Sequence, residues 1–212
     1  MAPQFLIDGP ERARTTLLLA HGAGAAMDSP AMGAIAGSLS AAGLRVARFE
    51  FGYMAARRSG VRRPPPRAET LCPEYLAAVE ATGHRGRLVI GGKSMGGRVA
   101  SLIADELHGA GRVAGLLCLG YPFHPVGKPE QVRTAHLARL RTPTLIVQGT
   151  RDPFGTPPEV KGYTLSPAIE LLWLEDGDHD LRPRKSVSGF SMADHLETMT
   201  RAVAGWTARI TR

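Results

Sequence analysis

The sequence predicts an α/β fold, a mostly parallel sheet with helices on both faces. Three observations carry this. Short apolar runs, several of them rich in Val, Ile and Leu, recur at residues 15–20, 46–49, 88–90, 113–119, 144–148 and 169–174. Strands apolar at every position are covered on both sides, as in parallel sheets. Segments with apolar residues at helical spacing lie between these runs, and alternating strands and helices are the mark of a parallel sheet. No internal repeat or linker interrupts the 212 residues, so residues 1–212 are expected to form a single domain.

Phe5, Leu6 and Ile7 suggest a short first strand ended by the turn Asp8-Gly9-Pro10. The run 15–20 leads into His21-Gly22-Ala23-Gly24. Ser29-Pro30 has the look of an N-cap with proline at the first helical position. That helix continues through Met32, Ile35, Ala36 and Leu39 and stops at Gly43. After the strand at 46–49, the stretch 52–67 is the least regular of the chain. It carries Arg57, Arg58, Arg62, Arg63 and Arg67 around Pro64-Pro65-Pro66, which disfavour helix and favour an extended path. Helices are expected over 70–82, from the serine turn at Ser94 to Leu107, and over 130–140. Ser191 and Asp194 form a capping box for a last amphipathic helix reaching about Arg209.

Composition narrows the function. The net charge of +7 is almost wholly arginine, since the only lysines are Lys93, Lys128, Lys161 and Lys185. A GC-rich genome produces the same bias. No zinc-finger spacing, aromatic RNA-binding signature or basic helix is present, so no nucleic-acid partner is expected. No apolar run approaches a membrane span, and residues 1–4 do not read as a signal peptide. Cys72 and Cys118 lie in apolar segments and read as free thiols of a reducing compartment. A cytoplasmic protein is expected. No His, Cys or Asp cluster has metal-ligand spacing, and neither metal nor cofactor is called for.

The centre of the chain is Leu88-Val89-Ile90-Gly91-Gly92-Lys93-Ser94-Met95-Gly96-Gly97. An apolar run ends in glycines, a serine follows in the pattern Gly-x-Ser-x-Gly, and a helical segment begins. Such a strand–turn–helix thrusts the serine Oγ above the sheet, and the glycines are needed where a Cβ would meet backbone. Gly92-Lys93-Ser94 also resembles the end of a phosphate-binding loop. That motif requires a glycine where Arg87 stands and a loop where 88–90 reads as strand.

Three further loops follow strand carboxyl ends, where parallel sheets gather functional groups. Ser94 is the candidate nucleophile, inert near neutral pH without a base. His179, after the last strand, is the candidate base. Asp152, after the preceding strand, would fix its tautomer, with Asp176 and Asp178 as competitors for that role. The backbone N–H groups of Met95 and Ala23 would form the oxyanion hole. Gly22 lets its loop approach the substrate, and His21 is expected to shape that loop through backbone hydrogen bonds. His108 and His195 are expected to face solvent from helices.

These motifs resemble the α/β-hydrolases, specifically the small, capless, dienelactone-hydrolase-like kind. More narrowly, the chain is similar to predicted hydrolases related to the hydrolase-fold domain of a non-specific-lethal complex subunit. The matching stretches are His21–Gly24, Tyr53-Met54-Ala55-Ala56-Arg57-Arg58, residues 92–97, Gly120-Tyr121-Pro122-Phe123-His124-Pro125, Gln148-Gly149-Thr150-Arg151-Asp152-Pro153-Phe154-Gly155 and Asp178-His179-Asp180. The resemblance implies an α/β-hydrolase fold without a large cap, and a serine hydrolase without a known substrate. Ser94 replaces the cysteine of dienelactone hydrolase itself, so lactone hydrolysis does not carry over.

The expected activity is cleavage of a small-molecule carboxylic ester or thioester through an acyl-Ser94 intermediate. Tyr121, His124, Arg57 and Arg58 are expected at the substrate, the arginines favouring anionic groups. A monomer or homodimer is expected. Some relatives act as scaffolds, so an inert binding protein on the same fold is the alternative.

Overall fold

A computed structural model describes residues 3–84 and 86–212. Seven strands form one sheet: β1 (Phe5–Asp8), β2 (Thr15–Ala20), β3 (Arg45–Phe49), β4 (Arg87–Lys93), β5 (Gly115–Leu119), β6 (Thr144–Gly149) and β7 (Ile169–Leu174). Their spatial order is β1-β3-β2-β4-β5-β6-β7. All neighbours are parallel except β1, which runs antiparallel to β3 at one edge. The helices are α1 (Pro30–Ala41), α2 (Gly52–Ala55), α3 (Cys72–Ala81), α4 (Met95–Gly109), α5 (Pro157–Lys161), α6 (Lys185–Ser188) and α7 (Met192–Ile210).

Successive strand residues feed opposite layers of core. Leu18, Ala20, Ile90, Cys118 and Ile146 pack with Tyr75 of α3 and Val99, Ala100 and Ile103 of α4. Leu17, Leu19, Val89, Leu117 and Val147 pack with Met32, Ile35 and Leu39 of α1 and Met199, Val203 and Trp206 of α7. This alternation explains why the central strands are apolar throughout: each face meets a helix layer. Burying each such large side chain is worth about 1.5–3 kcal/mol relative to exposure.

The fold corrects the sequence reading at several elements. The stretch 52–67 is not wholly irregular, because α2 and a 3-10 turn (Ala56–Ser59) begin it. The Glu74 carboxylate accepts from the Gly52 N–H at 2.6 Å, a long-range cap that no local pattern reveals. Residues 61–67 are exposed and without regular structure, as their prolines require. The helix expected over 130–140 is only the 3-10 turn Leu137–Arg139. Its first half instead bonds to the loop after β5: the Tyr121 hydroxyl donates to the Arg133 carbonyl, and the Arg133 N–H donates to the Phe123 carbonyl. The helix expected over 70–82 begins at Cys72, after a 3-10 turn at Ala68–Leu71. Ser29 stands at the N-cap of α1 but its side chain makes no capping bond. Ser191 and Asp194 do form the capping box of α7. Cys72 and Cys118 are both free, and among the described residues no helix is long and apolar enough to cross a membrane.

Candidate active site

The carboxyl ends of β4, β6 and β7 deliver three side chains to one point. Ser94 stands between β4 and α4 with φ 50° and ψ −113°, a conformation disfavoured for a residue with a Cβ. Backbone holds it there. The Ser94 N–H donates to the Leu119 carbonyl at 2.9 Å, and a Cβ on Gly92 or Gly96 would collide with the Ala20 carbonyl. Strain of this kind costs on the order of 1–3 kcal/mol and persists only where surroundings over-determine it.

Ser94 Oγ lies 2.8 Å from His179 Nε2, and His179 Nδ1 lies 2.8 Å from Asp152 Oδ2. A carboxylate opposite Nδ1 places the ring proton there and leaves Nε2 to accept from the serine hydroxyl. Asp152 is fully buried. Its Oδ2 also accepts from Gln148 Nε2 at 2.9 Å, and its Oδ1 accepts from the Phe154 N–H at 2.9 Å. The Phe154 ring packs on His179 with centroids 4.3 Å apart.

The competing carboxylates have other partners. Asp176 faces Arg151 and Arg184, and the hydrogen bonds from Arg184 hold its carboxyl well below the usual range. Asp178 Oδ1 accepts from the Asp180 and Arg182 N–H groups, closing its own loop.

Across the serine, His21 is wholly buried. Its Nδ1 donates to the Gly22 carbonyl at 2.6 Å and its Nε2 accepts from the Phe51 N–H at 3.2 Å. Burial lowers its pKa, which keeps the ring neutral as this pair of roles demands. No peptide is cis. The N–H of Ala23 therefore points opposite to the Gly22 carbonyl that His21 holds. The Tyr53 hydroxyl donates to the Ala23 carbonyl at 3.0 Å and fixes the other side of that residue. Met95 opens α4, so its N–H is among those a helix leaves unpaired.

Other expected site residues fall elsewhere. Tyr121 and His124 are buried. The Tyr121 hydroxyl serves Arg133, while His124 Nδ1 bonds the Pro125 carbonyl and its Nε2 lies 3.5 Å from Glu159. Their backbones hold the loop after β5 in place: the Tyr121 N–H donates to Gln148 Oε1 at 2.7 Å, and the His124 N–H donates to the Phe154 carbonyl at 3.2 Å. Arg58 is committed to Glu50 and Asp28. Arg57 stacks on Tyr53, its guanidinium carbon 5.8 Å from the ring centroid, and among the described residues it forms no ion pair. His195 is buried, not solvent-facing, and bonds the Leu181 carbonyl at 2.8 Å. His108 is half-buried and bonds the Val113 carbonyl. Sequence reasoning missed Gln148, Tyr53 and Phe154 as supports of the site. Gln148 carried a signal, being a polar residue at the end of an otherwise apolar strand.

A serine on a strained turn after the central strand, with His and Asp on later loops of a parallel sheet, defines the α/β-hydrolase class. The chain belongs to that family: the alpha/beta hydrolase domain matches residues 13–208. Solved structures share the fold at low identity. A dienelactone hydrolase from Anabaena variabilis superposes with TM-score 0.72 at 18% identity, over 100% of both chains. An alpha-beta serine hydrolase homologue from Coxiella burnetii gives 0.64 at 20%, over 95% of this chain and 89% of that one. A serine hydrolase without a lid from Xanthomonas campestris gives 0.65 at 18%, over 97% and 88%.

Proposed function

We propose that residues 1–212 act as one serine hydrolase domain that cleaves a carboxylic ester or thioester through an acyl-Ser94 intermediate. The observation that carries this is the continuous Ser94–His179–Asp152 hydrogen-bonded chain, with both links at 2.8 Å. In this reading His179 Nε2 takes the Ser94 proton as Oγ attacks the acyl carbon. Asp152 stabilises the imidazolium, and the N–H groups of Ala23 and Met95 receive the oxyanion. Collapse expels the alcohol or thiol, which leaves with the proton from His179. Water then repeats the cycle on the acyl-enzyme and releases the acid.

The fold has no large cap, which favours small or exposed acyl groups as substrates. Gly22 supports close approach: a Cβ there would lie 3.7 Å from Ser94 Cβ. Arg57 is the remaining candidate for an anionic group on the substrate, since Arg58 is already paired. The two free thiols agree with a cytoplasmic protein. Monomer and homodimer both fit this reading.

The test is labelling by a fluorophosphonate, followed by intact mass and peptide mapping. One adduct per chain on Ser94, absent in Ser94→Ala and lost in His179→Ala, is expected. A folded protein that takes no adduct would favour an inert scaffold.

A further inference from the structure

We propose that Lys93 is a positioning residue for the His179 loop: its buried ammonium pairs with Asp180, pins that loop to the serine turn and balances the carboxylates around the imidazole. The inference rests on the serine-hydrolase reading above and adds a residue to it. Lys93 closes β4 and is 8% exposed, and lysine is rarely so buried without a partner. Its Nζ lies 3.5 Å from Asp180 Oδ1.

One side chain here touches three loops. The stem passes beneath the oxyanion loop, where a Cβ on Gly22 would sit 3.6 Å from Lys93 Cγ. The ammonium reaches the turn after β5, where a Cβ on Gly120 would lie 3.2 Å from Lys93 Nζ and 3.4 Å from His179 Nδ1. The ammonium is thus within about 7 Å of the imidazole, close enough for its charge to act on the ring. Gly120 (φ +65°) leaves the room that both groups occupy.

The charged groups near the ring, among the described residues, come from the ends of three strands. Asp178 and Asp180 lie on its own loop, Asp152 on the loop after β6, and Lys93 at the end of β4. The loop after β2 brings Gly22 and the buried His21, the loop after β5 brings Gly120, and Arg151 and Arg184 are turned onto Asp176. Burial pulls the Lys93 pKa down, while Asp180, Asp152 and Asp178 oppose that pull. The Lys93–Asp180 pair therefore sets two opposite charges beside the His179 loop, 3.5 Å from each other. Removing either one unmasks the other.

The experiment follows the His179 ring by NMR through a pH titration in the intact protein, its resonance assigned by its loss in His179→Gln. Lys93→Met leaves Asp180 uncompensated and should raise the titration midpoint by about half a pH unit. Asp180→Asn leaves the ammonium uncompensated and should lower it. The acid limb of kcat/KM for an ester should move with the midpoint in each variant. Midpoints that stay put, or that move in the same direction, would overturn the proposal, because a purely structural role predicts loss of stability without opposed shifts. Should Lys93→Met fail to fold, Asp180→Asn at a half-exposed carboxylate decides alone, a downward shift supporting the proposal and none overturning it. The titration reads the ring whether or not an ester turns over, so opposed shifts in a protein inert to esters would count against the acyl-enzyme reading alone.

Discussion

Replacing Asp152 with Asn keeps the size of the side chain and changes only what it offers its three donors. Oδ2 now accepts from His179 Nδ1 and Gln148 Nε2, and Oδ1 accepts from the Phe154 N–H. An amide has a single acceptor oxygen. If it faces His179 and Gln148, its NH2 meets the Phe154 N–H, and if it is flipped, it meets two donors. Either way a buried donor is orphaned, at a cost of about 1–3 kcal/mol. For a chain of this length that lowers Tm by roughly 2–10 °C. The catalytic loss should be far larger. Without the carboxylate, His179 is free to take the tautomer that cannot accept from Ser94, and the imidazolium loses its counter-charge. A fall of about 10³–10⁴ in kcat is expected, equivalent to roughly 4–5.5 kcal/mol in the barrier. The assay is hydrolysis of a p-nitrophenyl ester by protein shown folded by thermal melting at the same pH. Activity within tenfold of the parent would refute the reasoning and leave the acid role to another carboxylate.

Three further outcomes are expected. Tyr53→Phe removes the hydroxyl that holds the Ala23 carbonyl, and at about 1 kcal/mol should cut kcat some fivefold with KM nearly unchanged; an equal change in KM instead would point to substrate contact. Tyr75→Phe orphans the Gly91 N–H and the Leu18 carbonyl in the buried centre of the sheet, so calorimetry should show Tm lower by about 5–10 °C, and a change under 2 °C would contradict it. Burial lowers the pKa of His21, His84 and His136 from the ordinary 6.5. The unfolded chain thus binds more protons than the folded one below that value, so stability should fall as pH drops through 6.5 and onward to the depressed folded values. A Tm that is flat or rising from pH 7 to 5 would refute this.

The parallel sheet was legible because its central strands are apolar on both faces. Ser94, Asp152 and His179 were legible as candidates because each follows a strand end, and in the structure Asp152 is the carboxylate bonded to His179 while Asp176 and Asp178 bond elsewhere. Chain order does not reveal direction of burial. Tyr121 and His124 sit in the family-matching stretch Gly120–Pro125, yet both side chains are buried. Helix α2 escaped notice because its cap, Glu74, lies 22 residues downstream. His195 follows the capping box of α7 and looks exposed by pattern, but its ring reaches the Leu181 carbonyl across a tertiary contact. Arg58 is free by pattern alone, but Glu50 and Asp28 already hold its guanidinium.

The Ser94–His179 bond joins residues 85 positions apart, and β4 itself is seated by pairing with β2, Thr15 opposite Arg87. Contacts this distant in sequence form slowly, because the intervening chain must be closed before any pairing rewards it. During synthesis the serine turn emerges well before the strand that carries its base. On the serine-hydrolase reading, a nascent or partly refolded chain holds an unactivated hydroxyl, and reactivity is expected only when β7 docks beside β6. Recovery of fluorophosphonate reactivity after dilution from denaturant would time that last docking step, later than the return of helical signal.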